Sequence, residues 1–404
     1  MESSQIRVVA YGGVGNGACD YYRLGAYVEH LAGQNVEVVS WVPQLRFPSQ
    51  YGDDWRAAMA DGRFELALDD LRAGDVLLLS RWRNTRMACT VCSQTFGAIS
   101  QELHQRVTGH VSLAADPLLR PLLAALLGNP TGRSRCAILY DLDDDFFHQP
   151  SWVGHAQGLA AELEVVELLV RLADLVTVSS PVLAEVLAPL SDRILVVRNA
   201  IDLSLYPAFG RPGDADDSDT RILFYGAGVR RLDFAVCSEA VDRVTEIRRG
   251  TRRLWLGATG DEVGDLVDEV HPYVQAGPDF ARKLTDLHPD VGLAPLLDSP
   301  FARAKSELHW LEYSAVGAVT VASRLGGAGP YDLIRDGKDG VCVDPAGDWF
   351  GPLKRLVRNR SLREDIASRA AERVRIEYST KTRAAEWSAA FRWASEHPGT
   401  APHS

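Results

Sequence analysis

A short apolar segment followed by a glycine-rich turn and a helix-forming stretch occurs twice in this chain. Ile6–Tyr11 runs into GGVGNGACDYYRL, and Arg221–Tyr225 runs into GAGVRRLDF. A strand that enters a glycine turn and then a helix is the first unit of a doubly wound parallel sheet. With 404 residues, the chain is long enough for two such domains. We therefore predict an α/β protein with two Rossmann-like domains.

Further apolar segments predict the other strands of the two sheets. In the first half these segments are Val36–Trp41, Asp75–Ser80, Ala137–Tyr140, Leu175–Val178 and Ile194–Val197. In the second half they are Arg253–Gly257, Val270–Val274, Val291–Leu296, residues 318–323 and Val341–Val343. Amphipathic segments predict helices at Ala160–Ala173, Glu307–Val316, Tyr331–Arg335, Lys354–Tyr378 and Thr382–Ser395. Between the halves, Ala208–Thr220 is rich in glycine, proline and aspartate and is typical of a solvated linker.

The composition is that of an ordinary globular protein. Hydrophobic residues make up 46% of the chain and charged residues 24%. The formal net charge of −11 disfavours generic binding to nucleic acid or to an anionic membrane surface. No apolar run approaches the length of about 18 residues that indicates a membrane span, and the start, MESSQIRVVAYGG, lacks the regions of a signal peptide. We expect a cytoplasmic protein without a membrane span. The sequence does not indicate its oligomeric state.

The segment 290–323 is the leading candidate for a ligand site. An apolar stripe on the helix Glu307–Val316 faces the sheet, which leaves Lys305 and Glu312 free to contact a ligand. Lys305 and Ser306 lie at the helix N-terminus, where unpaired N–H groups favour an anion such as phosphate. Glu312 lies roughly 9–11 Å further along, about as far as a ribose lies from the diphosphate of one nucleotide, and a carboxylate accepts from both ribose hydroxyls. A solvated helix face is the simpler alternative.

The same segment, DSPFARAKSELHWLEYSAVGAVTVAS followed by YDLIRDGKDGVCV, resembles the donor-binding half of the GT-B glycosyltransferases. It is most similar to the large retaining group related to sucrose and glycogen synthases. The resemblance implies two Rossmann-like domains facing a cleft, with Lys305 and Ser306 on the diphosphate of a nucleotide sugar and Glu312 on its ribose. Many members carry a sugar-contacting glutamate eight positions before the ribose glutamate. This chain departs from that pattern with Ala304.

The second glycine turn supplies more candidate donor contacts. Glycines let backbone N–H groups approach a diphosphate, and arginines neutralise its charge. In the resembling enzymes a cation in this turn pairs with the lysine matched to Lys305, and two cations stabilise the charge that develops as the glycosidic bond breaks. A solvated arginine pair is the alternative. The candidates are Gly226, Gly228, Arg230 and Arg231, together with Gly327 in the loop after the strand 318–323.

The first glycine turn is compatible with two kinds of ligand. Gly13, Gly15 and Ala18 fit the G-x-G-x-x-A fingerprint of dinucleotide binding, but the second strand lacks the acidic residue expected at its end, which disfavours NAD. The GT-B resemblance, including the segment CDYYRL, instead implies that this loop lies on the acceptor side of the cleft. For Arg23 a surface salt bridge is the alternative. The acceptor-side candidates are Gly13, Gly15, Gly17, Asp20, Tyr22 and Arg23.

An acidic run, Asp141–Asp145, follows the predicted strand Ala137–Tyr140. An Asp-x-Asp pair holds a divalent cation and a diphosphate in the GT-A architecture. Two Rossmann-like halves fit GT-B instead, which normally needs no metal. By resemblance, YDLDDDFF lines the acceptor side, and Asp143 or Asp145 becomes a candidate for orienting an acceptor hydroxyl. We therefore expect no metal site.

The sequence as a whole predicts a metal-independent glycosyltransferase that needs no cofactor besides its nucleotide-diphosphate sugar co-substrate. The predicted catalytic residues are Lys305, Arg230, Arg231 and Asp143. The resemblance implies retention of anomeric configuration, with the leaving phosphate taking the acceptor proton. It also implies an acceptor-side domain at residues 1–203 and a nucleotide-sugar domain at residues 204–379, with the C-terminal helix 380–398 packed on the first domain.

Two other functions remain open. An NAD(P)-dependent sugar-nucleotide-modifying enzyme would use the first glycine turn. A catalytically silent GT-B-like binding subunit is suggested by Ala304. The sugar, the nucleotide base and the acceptor (natural product, glycan, protein or modified DNA) are open as well.

Overall fold

The computed structural model describes residues 5–11, 18–41, 44–46, 50, 65–67, 72, 74–80, 136–151, 159–206 and 219–398. Within these ranges the chain forms two six-stranded parallel sheets and one short antiparallel pair of strands. Buried parallel strands with apolar side chains on both faces need helices on both sides of the sheet. The two sheets therefore account for the α/β class that the paired strand–turn–helix units predict.

The first sheet has the strand order β2-β1-β5-β6-β7-β8. Its longest pairing runs from Ile6 opposite Val36 to Tyr11 opposite Trp41. All six side chains of β6 are buried, as expected for a central strand. The strands are β1 (Ile6–Tyr11), β2 (Val36–Trp41), β5 (Val76–Ser80), β6 (Ala137–Leu142), β7 (Leu175–Val178) and β8 (Ile194–Val196), and the antiparallel pair is β3 (Gln44–Arg46) with β4 (Glu65–Ala67).

The second sheet repeats this arrangement, with the strand order β11-β10-β9-β12-β13-β14. In each sheet the direction of strand progression reverses once, between β1 and β5 in the first and between β9 and β12 in the second. Open α/β sheets bind ligands outside the carboxyl ends of the strands at such a reversal. The strands are β9 (Thr220–Tyr225), β10 (Thr251–Leu256), β11 (Glu269–His271), β12 (Val291–Ala294), β13 (Val319–Ser323) and β14 (Val341–Val343).

The helices connect and cover these strands. Among the described residues, no helix is both long and apolar enough to cross a membrane. In the first half the helices are Ala18–Arg23, Val28–Ala32, Leu159–Leu172 and Pro181–Leu187. In the second half they are Arg231–Phe234, Ser238–Ile247, Gly260–Val263, Pro278–Asp286, Pro300–Arg303, Leu308–Ala315, Phe350–Arg358, Arg360–Glu377 and Thr380–Glu396.

Two helix predictions were wrong, and local hydrogen bonding explains both. The predicted helix Lys354–Tyr378 is broken at Asn359, whose side chain accepts from the backbone N–H of Leu362 and starts a new helix. The predicted helix Tyr331–Arg335 is a turn. There the Asp339 carboxylate accepts from the backbone N–H of Arg335, and this bond stabilises a loop instead of continued helix.

The helix Thr380–Glu396 contacts the first sheet, although it follows the second sheet in the chain. Trp387 and Phe391 are fully buried in one apolar cluster with side chains of β1, β2, β5 and β6. The chain reaches this position where the backbone of Thr380 donates to Ile201 at 3.0 Å and Ile201 donates to Tyr378 at 2.9 Å. The proposed domain limits, 1–203 and 204–379, stay a prediction.

Replacing Trp387 with alanine should lower the free energy of unfolding by about 3–5 kcal/mol, because removal of a buried aromatic ring leaves a cavity. Chemical denaturation followed by circular dichroism measures this change. Trp393→Ala is the matched control, since Trp393 lies on the same helix with 36% of its surface exposed, and it should cost less than about 1 kcal/mol. Equal losses for the two variants would contradict the packing of this helix on the first sheet.

Candidate functional site

The candidate site lies at the carboxyl end of β9, where the second sheet reverses direction. β9 ends at Tyr225 and turns at Gly226, which has a φ of 145° that strongly favours glycine. The Gly226 carbonyl accepts from the indole N–H of Trp255 at 2.8 Å. A Cβ on Gly228 would lie 2.6 Å from the Glu262 side chain. The turn thus packs tightly against β10 and the helix Gly260–Val263, and donor contact at Gly226 and Gly228 stays a prediction.

Glu312 is the central acidic residue of the site. It is 1% exposed, which contradicts the simpler alternative of a solvated helix face. The Tyr22 hydroxyl donates a hydrogen bond to Oε1, and the Tyr225 hydroxyl donates one to Oε2. Both oxygens of the carboxylate are therefore engaged by phenols, one from each sheet's half of the chain.

Burial raises the pKa of Glu312 to about 7, and the two phenolic hydrogen bonds offset part of that rise. Burial also raises the pKa values of Tyr22 and Tyr225 well above the ordinary tyrosine value, and the nearby Glu312 carboxylate raises them further. The phenols thus stay protonated and remain donors near neutral pH. The cluster therefore consists of a carboxyl group that changes its charge near neutral pH and two phenols that stay protonated.

His309 belongs to the same site, and the sequence analysis missed it. Its ring stacks on Tyr225 with centroids 4.1 Å apart, and its two nitrogens lie 3.3 Å from the Tyr225 carbonyl and from the Tyr331 hydroxyl. Burial lowers the pKa of His309 well below its usual value, and the positive charges of Arg230 and Lys305 lower it further. The imidazole is therefore neutral. A signal for it was present in the sequence, because His309 lies three residues before Glu312 on one helix.

Two of the three predicted donor cations, Arg230 and Lys305, are paired with carboxylates. Arg230 bonds Asp233 at 2.7 Å, and Lys305 lies 3.4 Å from Asp144. The Lys305 side chain is 24% exposed and its amine lies 4.2 Å from the Phe301 ring centroid. Arg231 is exposed. The charges of Arg230 and Lys305 both lower the pKa of His309, so both cations lie near this imidazole.

The expected position of Lys305 and Ser306 at a helix N-terminus was wrong. The helix begins at Leu308, and Lys305 follows the short helix Pro300–Arg303, with its N–H bonded to the Ala302 carbonyl. Ser306 lies between the two helices. The unpaired N–H groups at the start of the helix therefore belong to residues further along the chain, and Lys305 acts through its side chain alone.

Four consecutive residues, 304–307, each contact the first half of the chain, and we call them the interdomain segment. A lysine–aspartate ion pair, an arginine–glutamate ion pair and two hydrogen bonds hold this segment in place. The contacts are Ser180 Oγ to the Ala304 carbonyl at 2.6 Å, Lys305 to Asp144 at 3.4 Å, Asn199 Nδ2 to Ser306 Oγ at 2.9 Å and Arg198 to Glu307 at 3.2 Å.

Ala304 occupies the place where the resembling enzymes have a sugar-contacting glutamate. It is fully buried and packs in the core cluster that includes β6 and β7. Glu307 does not replace that glutamate, because its buried carboxylate is paired with Arg198. Burial raises the pKa of Glu307, and the Arg198 charge opposes the rise. Position 304 therefore carries no carboxylate, and the Glu307 carboxylate does not take its place.

Arg23 was predicted on the acceptor side, with a surface salt bridge as the alternative, and its burial contradicts both. It is 1% exposed and bonds Asp141 through two nitrogens, at 2.7 and 3.0 Å. Asp141 also accepts from the Thr177 hydroxyl at 2.6 Å. The Arg23 guanidinium lies 5.0 Å from the Trp387 ring centroid. A guanidinium enclosed in this way joins the first sheet to the C-terminal helix and cannot contact an acceptor.

The other predicted residues fall into three groups. Gly13, Gly15, Gly17 and the side chain of Asp20 lie outside the described part of the chain. Asp143 is half-buried in the loop after β6, and its carbonyl accepts from Ser179 Oγ at 3.1 Å. Gly327 is exposed with a φ of 64°, next to the Arg303 guanidinium. Among the described residues, no group of three or more His, Cys, Asp or Glu side chains is arranged to hold a metal ion.

Two parallel six-stranded sheets with flanking helices, each carrying its ligand edge at a strand reversal, define the two-domain GT-B fold known from glycosyltransferases. HepE from Anabaena, in complex with UDP and glucose, is similar with a TM-score of 0.56 and 14% identity over 96% of this chain and 99% of that chain. Sucrose-phosphate synthase from Thermosynechococcus elongatus is similar with a TM-score of 0.57 and 14% identity over 96% and 98%.

TarM is similar with a TM-score of 0.51 and 12% identity over 80% of this chain, which spans 56% of the TarM chain. The chain matches no protein-family model and no curated protein. At these identities the likeness concerns the fold.

The free energy of unfolding should fall as pH rises from about 4.5 to about 7. In this window the folded protein keeps a proton on Glu312 that the unfolded chain has released, so the stabilisation present at low pH is lost, by up to about 3 kcal/mol. Urea denaturation across that pH range measures the slope. Glu312→Gln should flatten it, while Glu364→Gln, exposed on the helix Arg360–Glu377, is the control. An unchanged slope in Glu312→Gln would contradict the assignment.

Proposed function

We propose that this protein transfers a sugar from a nucleotide-diphosphate donor to an acceptor hydroxyl or other nucleophile. The observation that supports it best is Glu312, a buried carboxylate that receives two hydroxyl hydrogen bonds at the ligand edge of the second sheet. The positive charges of Arg230 and Lys305 act on His309, which lies one helical turn from Glu312. The GT-B fold is consistent with this use, and HepE, of the same fold, binds UDP with glucose.

The ribose of the donor would bind Glu312. A carboxylate has lone pairs for several donors, and the two phenols on Glu312 show that hydroxyl groups can reach both of its oxygens. The cis hydroxyls of a ribose are donors of the same kind. Because the site is buried, each such hydrogen bond is made away from water and contributes more than at the surface.

The diphosphate would bind Lys305, Arg230 and Arg231. These cations neutralise the phosphates in the ground state and stabilise the negative charge that develops on the leaving group. Lys305 is paired with Asp144 at 3.4 Å, a distance too long for a strong hydrogen bond, and it is partly exposed. Exchange of the Asp144 carboxylate for a phosphate oxygen therefore leaves Lys305 with an anionic partner throughout.

On the acceptor side we propose Asp143, with Gly13, Gly15, Gly17 and Asp20, as the groups that position the nucleophile. Tyr22 belongs to the same wall of the site. We propose retention of configuration without a metal ion, with the leaving phosphate taking the acceptor proton. The charges that a metal would otherwise supply would come from Lys305 and the two arginines.

A catalytically silent binding subunit is the second candidate, and Ala304 favours it. The position of the sugar-contacting glutamate in resembling enzymes is a buried alanine whose carbonyl is bonded to Ser180. Such a subunit would bind the donor through Glu312 and the cations but would not turn it over. Binding and turnover measured on the same preparations separate the two candidates.

A panel of nucleoside diphosphates and nucleotide sugars should raise the unfolding temperature, since a ligand at about 100 times its dissociation constant adds about 2.7 kcal/mol. Glu312→Gln should weaken binding about tenfold or more, because it removes the charged acceptor.

Lys305→Ala should lower donor turnover, followed as release of nucleoside diphosphate, by roughly 100-fold. Lys381→Ala, an exposed lysine at the start of the C-terminal helix, is the control for Lys305.

Each outcome favours one function. Donor binding with turnover that depends on Lys305 supports the transferase, and donor binding without turnover supports the silent subunit. Stabilisation by NAD(P) and by none of the nucleotide sugars would contradict both and favour an NAD(P)-dependent enzyme.

A further inference from the structure

Tyr22 reaches Glu312 from the other half of the chain, 290 residues away in sequence. Tyr22 lies in the helix Ala18–Arg23, which follows β1 of the first sheet, while Glu312 lies in the helix Leu308–Ala315 of the second. Both side chains are buried, at 6% and 1% exposure. The contact therefore fills one oxygen of the proposed ribose acceptor with a hydroxyl that the protein itself supplies.

The two phenols on Glu312 differ in how they are held. Tyr225 is the last residue of β9, and its ring packs against His309, Phe280 and Tyr313 with centroids 4.1, 5.4 and 5.3 Å apart. These partners all belong to the second sheet's half of the chain. Withdrawing Tyr225 would disrupt that core. Tyr22 also packs in an apolar cluster with side chains of the second half, including Leu296 and Trp310, but it belongs to the first half of the chain. A shift of the two halves against each other would therefore carry Tyr22, and not Tyr225, away from Glu312.

We infer that Tyr22 is an autoinhibitory latch: it occupies Glu312 in the ligand-free protein, and the nucleoside of the donor must displace it to bind. Tyr225 stays on the other carboxylate oxygen in both states and positions Glu312. This inference rests on the proposed function, because it takes the ribose hydroxyls of a nucleotide as the competing donors.

The latch lowers the donor affinity by reducing the fraction of protein that is open for binding. A ligand that binds only the open form has an apparent dissociation constant equal to its intrinsic constant divided by the open fraction. A hydroxyl on a buried carboxylate favours the closed form by about tenfold to a hundredfold. Removing the Tyr22 hydroxyl therefore leaves a buried acceptor without its donor and makes the site ready for a ribose.

The test is isothermal titration with UDP, GDP, ADP and TDP on the full chain. Tyr22→Phe should bind the preferred nucleoside diphosphate about ten- to a hundredfold more tightly than the wild type. Tyr21→Phe is the matched control: Tyr21 precedes Tyr22 in the same helix and packs edge-on against it at 5.2 Å between centroids, and its loss of one hydroxyl should leave affinity unchanged.

A ligand-free measurement tests the same contact. In a double-mutant cycle of thermal unfolding, Tyr22→Phe and Glu312→Gln should be coupled, with a combined loss smaller than the sum of the single losses. Tyr22→Phe alone should lower the unfolding temperature of the free protein while it tightens nucleotide binding. A purely structural role would lower the temperature without tightening binding.

Two results would contradict the latch without contradicting the transferase. In the first, the wild type binds a nucleoside diphosphate and Tyr22→Phe binds it no more tightly. In the second, Tyr22→Phe binds it more weakly, which would make Tyr22 a ligand contact. Additive losses in the cycle would overturn it as well. If neither the wild type nor Tyr22→Phe binds any of the four, the proposed function fails and the latch fails with it. Binding by Tyr22→Phe alone would support both.

Discussion

The interdomain segment, residues 304–307, is the contact on which the geometry of the site depends. Each of its four residues bonds a different residue of the first half, through two ion pairs and two hydrogen bonds. The helix with His309 and Glu312 begins directly after it. Because that helix cannot move without straining these bonds, the position of the first sheet sets where the carboxylate and the lysine lie. The segment that would hold the donor is thus also the segment that joins the two halves.

At Glu312, the hydrogen bonds that stabilise the folded protein compete with those that a ligand would make. Burying a carboxyl group costs free energy unless it is protonated or hydrogen-bonded, and here it is bonded by two tyrosines. A ligand that bonds the same oxygens has to replace interactions the protein already makes. Its net gain is therefore the difference between two sets of hydrogen bonds, which favours a ligand that brings several groups at once, such as a nucleotide with a charged diphosphate.

The sequence was informative where the physical cause was local. Strands such as Leu175–Val178 and Val341–Val343 have their predicted bounds, because a short apolar run enclosed on both faces is visible in the chain itself. The two Rossmann-like sheets followed from the repeated strand–turn–helix unit, and the GT-B arrangement followed from the resemblance of the segment around Lys305 and Glu312. The residue types of the site, Lys305 and Glu312, were also recognisable, since their spacing along one segment carries information about ligand size.

The environment of those residues could not be read from the sequence. Glu312 was predicted as a ligand contact, but the sequence does not show that Tyr22 and Tyr225, 290 and 87 residues away, bond both of its oxygens. Arg23 was predicted on the acceptor side, but its partner Asp141 is 118 residues away. Burial of a charged side chain depends on partners that only the tertiary structure brings together. An apolar stripe predicts which face of a helix packs on the sheet, but it does not show which residues cover the opposite face.

The return of the helix Thr380–Glu396 to the first sheet has a consequence for how the chain folds during synthesis. Trp387 and Phe391, which help to fill the space beside β1 and β5, are translated after all of the second sheet. Until this helix is made, the part of the first sheet's apolar face that Trp387 and Phe391 cover stays exposed, although Tyr27 and Leu31 of the first half already pack there. A nascent chain in that state exposes a surface that chaperones recognise, and an excised N-terminal fragment would keep it exposed permanently.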